Sequence, residues 1–224
     1  MNVLARLDEA RSEINVLEHP FYQRWSAGEL SAEELGLYAG EYREAVVALA
    51  RASSLAAQKA APQHAPSLAR HAAEEAQHVE LWDQFARETA ERAGGERASG
   101  PALGVLAETD DCAAAWTAGE RLLEHLAVLY AIEASQPEIA QTKLEGLSEH
   151  YGYRPEGPAV EYFTLHERLD REHARQAREL ITELMTDVDD GDELVDLMVE
   201  SARAALLGNW ALLDGVEAAA RESR

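Results

Sequence analysis

Cysteine occurs only once in this 224-residue chain, at Cys112, so no internal disulfide framework can hold the fold and stability must come from a buried core. Lysine is nearly as scarce, with Lys59 and Lys143 set against 18 arginines. No apolar run approaches the ~20 residues that span a bilayer. The first residues, Met1 to Leu17, mix acidic side chains into an amphipathic pattern and lack the apolar stretch of a signal peptide. A cytoplasmic protein with no membrane partner is therefore expected. Basic charge is also short: 20 Lys and Arg face 42 Asp and Glu, for a formal net charge of -22. Affinity for a phosphate backbone requires cations that displace counterions, so nucleic acid is excluded as a partner. Period-two alternation with β-branched enrichment is missing throughout, which removes sheet-based folds.

What remains is helical. Apolar residues recur every three or four positions almost from end to end, and 46% of residues are hydrophobic. The chain reads as one all-α domain over residues 1–224, without a repeat or a linker long enough to divide it. Helices are expected over Val3 to Leu17, Pro20 to Ala27 and, from a capping box at Ser31-Ala32-Glu33-Glu34, up to Ala60. Others follow over Ser67 to Ala93, Asp110 past Tyr130, Glu138 to His150, Ala159 to Thr186 and Glu193 to Ala220. The third-last of these follows a break at Ser135-Gln136-Pro137. Loops are expected at Gly94 to Pro101 and at Asp187 to Asp192.

The segment that carries chemistry is Leu165-His166-Glu167-Arg168-Leu169-Asp170-Arg171-Glu172-His173. On a helix, Asp170 and His173 both fall within about 40° of His166. One face then presents imidazole, carboxylate and imidazole, a donor set suited to Fe, Mn or Zn. By itself such a triplet reads equally well as a solvated stripe, so its partners matter. His71 and His78 share a face at i, i+7 in His71-Ala-Ala-Glu74-Glu75-Ala-Gln77-His78, with Glu74 between them and Glu75 also available. Glu133 sits among apolar neighbours in Leu129-Tyr130-Ala131-Ile132-Glu133, where an unpaired buried carboxylate would be costly. Three helices thus supply enough imidazoles and carboxylates for two metals, more than a zinc hydrolase needs.

Several blocks resemble the heme-oxygenase-like dimetal oxidases, in particular the branch of the Chlamydia protein associating with death domains, within the wider TenA and PqqC superfamily. They are Glu18-His19-Pro20-Phe21-Tyr22-Gln23-Arg24-Trp25, Gln77-His78-Val79-Glu80-Leu81-Trp82, Tyr130-Ala131-Ile132-Glu133-Ala134-Ser135-Gln136-Pro137 and Lys143-Leu144-Glu145-Gly146-Leu147, together with the His166/Asp170/His173 triplet. The resemblance implies a heme-oxygenase-like bundle of about seven helices that holds two Fe per chain, or Mn. It also implies an oxidase or oxygenase acting with dioxygen on a small molecule or on its own side chain; a homodimer is expected separately, from the broad apolar complement of a helical domain. His78, Glu133, His166, Asp170 and His173 match the family's metal ligands. Where the family places a further glutamate, two turns before the first histidine, this chain carries His71. His71, Glu74, or Glu41 or Glu44 from the preceding helix are the candidates to complete the set.

Relatives in that branch are associated with p-aminobenzoate formation in which a tyrosine is consumed and a lysine donates nitrogen. Lys143 matches the lysine, and Tyr22, Tyr38, Tyr42 or Tyr130 could be the tyrosine, with Tyr22 and Tyr42 placed with Lys143 in the catalytic set. A cofactorless enzyme of the TenA or PqqC kind, or a non-catalytic interaction protein, is the alternative. TenA-type thiaminase chemistry needs a cysteine nucleophile. Cys112 is the sole candidate and its surroundings do not match.

Overall fold

The computed structural model describes residues 2–94, 105–186 and 191–222. Nine α-helices and two short 3-10 turns make up the regular structure among the described residues. They are α1 (Val3–Glu13), α2 (Pro20–Ser26), α3 (Ala32–Lys59), α4 (Ala65–Arg92), α5 (Ala107–Thr117), α6 (Leu122–Glu133), α7 (Gln136–Glu149), α8 (Glu161–Leu184) and α9 (Gly191–Glu222). The all-α expectation holds. Most of the expected loop at Gly94 to Pro101 and of the connection at Asp187 to Asp192 lies outside the described residues.

Local signals explain the boundaries. Ser31 Oγ accepts from Glu34 N at 3.2 Å while Ser31 N donates to Glu34 Oε2 at 2.8 Å, a complete capping box at the start of α3. Two expected helices differ. The helix expected over Val3 to Leu17 stops at Glu13 and resumes as a 3-10 turn at Val16–Glu18, because the Asn15 side chain accepts from Leu17 N and starts a new turn. The helix expected from Asp110 past Tyr130 is two helices. Gly119 between them has φ +115°, a conformation that side-chain-bearing residues avoid. The Glu124 carboxylate then accepts from Arg121 N at 2.9 Å to begin α6.

α6 buries nine consecutive residues, His125 through Glu133, as expected of a helix that is apolar around its circumference. α8 and α9 pack against it, and α3 packs along α4 over most of their lengths. α8 also lies against α7 and α4. Trp82 and Trp25, both fully buried, fasten these layers by donating to Ala39 O at 2.8 Å and Lys143 O at 3.3 Å. No described helix is long and apolar enough to cross a membrane. The arrangement leaves one face each of α4, α6 and α8 turned toward a shared interior.

Candidate metal centre

Four imidazoles and three carboxylates meet in that interior. α4 supplies His71, Glu75 and His78; α6 supplies Glu133; α8 supplies His166, Asp170 and His173, and all seven are buried. His71 Nε2 lies 2.8 Å from Glu133 Oε1 and 3.8 Å from Glu75 Oε1. His173 Nδ1 is 3.5 Å from the same Glu75 oxygen and 3.6 Å from Asp170 Oδ1. His78 Nδ1 also stands 3.1 Å from Glu75 Oε1, and His166 Nε2 stands 3.9 Å from Glu75 Oε2. Two tight donor groups result, His71/Glu75/Glu133/His173 and Glu75/His78/His166. Glu75 belongs to both.

The donor atoms fit metal. Atoms bound at ~2.1 Å to one ion lie roughly 3 to 4 Å apart, which is the range observed. His71 Nε2, Glu75 Oε1, His78 Nδ1, both Glu133 oxygens, His166 Nε2, Asp170 Oδ2 and His173 Nδ1 are all buried without a hydrogen-bond partner among the described residues. Leaving so many polar atoms unsatisfied is costly, and a pair of cations would satisfy them together.

Outer contacts aim the rings. His166 Nδ1 donates to Tyr162 O at 2.7 Å, which leaves the Nε2 lone pair facing the cluster. Tyr162 also stacks on His166 with ring centroids 3.9 Å apart. His173 is turned the other way round, with Nε2 against Glu74 Oε2 at 3.2 Å and Nδ1 facing inward. Burial lowers the His71 pKa, but Glu133 and Glu75 outweigh it and raise it to about 9. Burial likewise pushes Glu75 up, yet the adjacent His166 and His78 imidazoles hold it well below the usual carboxylate range. Burial raises Glu133. The His71 proton is one that a metal would displace on binding.

The structure brings together six of the seven sequence candidates for metal and places the seventh, Glu74, outside. Glu74 is half-exposed and meets the outer nitrogen of His173, whereas its neighbour Glu75 occupies the centre. Glu41 and Glu44 are also elsewhere. Glu41 caps the start of α5 by accepting from Leu106 N and Thr109 Oγ1, and Glu44 pairs with Arg43. Sequence reasoning missed Tyr162, although its i, i+4 spacing to His166 places both on one face.

Beside the cluster, Lys143 is 1% exposed and forms no ion pair with the described residues. Its Nζ faces five rings: Tyr42 at 4.7 Å, Phe163 at 5.3 Å, Tyr38 and Trp82 at 5.5 Å, and Tyr22 at 5.6 Å to the centroids. Burial alone lowers its pKa to about 7. Tyr22 and Tyr38 hydroxyls lie 3.3 Å apart. Tyr130 is not in this cage; its hydroxyl donates to Asp8 Oδ1 at 2.6 Å. Cys112 is buried, and burial pushes its thiol up to about 12, the opposite of the lowered pKa that activates a cysteine nucleophile.

The family described as iron-containing redox enzyme matches residues 44–209. The 4-aminobenzoate synthase of Chlamydia muridarum is 32% identical over 202 residues, which cover 88% of this chain and 84% of that protein. The 4-aminobenzoate synthase of Nitrosomonas europaea is 28% identical and covers 94% of this chain and 89% of its own length. Among solved structures, a domain of unknown function with a heme oxygenase-like fold from Shewanella denitrificans superposes with a TM-score of 0.76 at 19% identity, over 97% of this chain and 91% of that one. A TenA homolog from Pseudomonas syringae pv. tomato gives 0.76 at 16% identity, over 96% and 90%. The last two likenesses concern the fold alone.

Proposed function

This chain belongs to the iron-containing redox enzymes of heme oxygenase-like fold, and from that premise we propose that it makes 4-aminobenzoate by oxidising one of its own tyrosines, with Lys143 as the nitrogen source. The observation that carries this reading is the aromatic cage around Lys143. A lysine is almost never fully buried without a partner, and here burial leaves about half of the amine uncharged near pH 7, free to act through its lone pair. Tyr42 has the ring nearest Nζ, and Tyr22 and Tyr38 face it with their hydroxyls 3.3 Å apart, so the reacting tyrosine is one of these three. The relatives named 4-aminobenzoate synthase support the product class.

His71, His173 and Glu133 would hold one iron, His78 and His166 the other, with Glu75 shared and Asp170 completing the set. When bound, the metal pair supplies oxidising chemistry with dioxygen as oxidant. The chain's own residues do the rest. Tyr162 O and Glu74 fix the ring nitrogens of His166 and His173. Trp82 and Phe163 close the cage against water, which keeps the amine desolvated and protects reactive species from side reactions.

The test is metal analysis and product assay on purified protein supplied with Fe(II) and reductant in air. Wild type is expected to hold about two Fe per chain and to form 4-aminobenzoate. Lys143→Arg should keep the metal and lose the product, and Glu75→Ala should lose both. Tryptic mass spectrometry should find an altered residue at Tyr22, Tyr38 or Tyr42 after reaction. Product formation by Lys143→Arg at the wild-type level would end the nitrogen-donor reading.

A further inference from the structure

A cavity of about 240 Å³ lies between α4, α6 and α8 and ends on the rings of His71 and His173. Its rim carries His64, Glu179 and Glu183, and its walls include Leu129, Ala177 and Leu180. Neither His78 nor His166 lines it. We infer that this cavity is the port through which a divalent cation enters the folded protein, and that the cation first meets the position built by His71 and His173. The inference rests on the two-metal reading above and adds a route to it.

Three observations converge. First, the donor atoms are sealed: Glu133 and His166 have no exposed surface and Asp170 has 1%, so the ion needs a passage. His71 and His173, nine-tenths buried or more, have inward nitrogens without partners and form the floor of this passage. Second, the size is right. At ~30 Å³ per water the cavity takes about eight waters, enough for a divalent ion with a shell of about six. Third, the rim has ligand character. His64 Nε2 and Glu183 Oε1 stand 3.5 Å apart, an imidazole–carboxylate pair at the entrance. Arg70 also lines the cavity and Glu179 is held by Arg175, so the rim steers weakly. The protein's net charge of -22 supplies the wider attraction.

The inner position formed by His78 and His166 is then filled by passage across Glu75, whose carboxylate faces both groups. Its outer side is closed by the Tyr162 ring stacked on His166.

The experiment mixes metal-free full-length protein with Mn(II) anaerobically and follows loss of the free-ion EPR signal, with final metal content measured separately. Wild type should take up two equivalents in two phases. Ala177→Phe, which adds a ring to the cavity wall, should slow the first phase by about tenfold or more while final content stays the same, since close-packed interiors leave no passage. Leu180→Trp, on the half-buried wall, serves where Ala177→Phe fails to fold by circular dichroism. Paired Glu179→Gln and Glu183→Gln should slow uptake about two- to threefold at low salt and not at high salt. Unchanged uptake in the folded plug variants overturns the port. So does slowed product formation with unchanged uptake, which would make the cavity a passage for dioxygen or a small molecule. Protein that binds no Mn(II) or Fe(II) at all overturns the two-metal reading itself, a distinguishable result.

Discussion

At the scale of single residues, Lys143 and the Glu74–Glu75 pair are the informative cases. A lysine in an acidic helical chain is ordinarily a surface residue, and only packing reveals that Lys143 is enclosed by five rings. Its pKa falls from an ordinary 10.5 to about 7 because burial penalises the ammonium. The unfolded chain therefore holds a proton that the folded chain lacks between about pH 7 and 10, and stability from this group rises with pH across that window. The full penalty applies below it. Lys143→Met should raise the melting temperature near pH 6 and flatten the rise between pH 7 and 10, with about 3 to 5 kcal/mol at stake. Equal pH dependence in chemical denaturation of the two proteins would show that the amine is solvated. Glu74 and Glu75 differ by about 100° around the helix. Either direction satisfies a pattern that includes His71 and His78, and the position of α8 selects Glu75.

Among elements, the helix junctions show where local sequence suffices. The capping box at Ser31 and the break at Pro137 are legible because each involves neighbouring backbone groups. The break at Gly119 is less so, since an isolated glycine is tolerated inside many helices. Close helix approach is not legible at all. A Cβ on Gly146 would sit 2.5 Å from Trp25 Nε1, so α7 can rest against α2 only with glycine there. Gly146→Ala should push Trp25 off Lys143 O and destabilise the protein by about 1 to 3 kcal/mol. Urea denaturation measures it, and a loss below about 0.5 kcal/mol would mean that the indole shifts freely.

For the whole molecule, charge is the dominant global quantity. A net charge of -22 on 224 residues makes the compact state repel itself. Raising ionic strength from 0.01 to 0.15 M shortens the Debye length from about 30 to about 8 Å. Ion pairs such as Arg6–Asp196 and Arg203–Glu13 are exposed and contribute little, so screening of the excess should win. The melting temperature of the metal-free protein is expected to rise by a few degrees with added NaCl; a fall would show that local pairs outweigh the net repulsion.

The sequence by itself determined the helical class, most helix limits and the residues able to ligate metal. Those properties depend on periodicity, caps and side-chain chemistry within a few turns. Only the tertiary structure decided that Glu75 is the shared carboxylate, that Glu74 merely turns His173, and that Lys143 is buried beside Tyr22 and Tyr42. It also gave His64, an unremarkable residue between prolines in the sequence, a place at the mouth of the cavity. The reason is that α4, α6, α7 and α8 meet through contacts separated by dozens of residues. The angle at which those helices pack fixes which of two adjacent side chains reaches the centre, and local pattern carries no record of that angle.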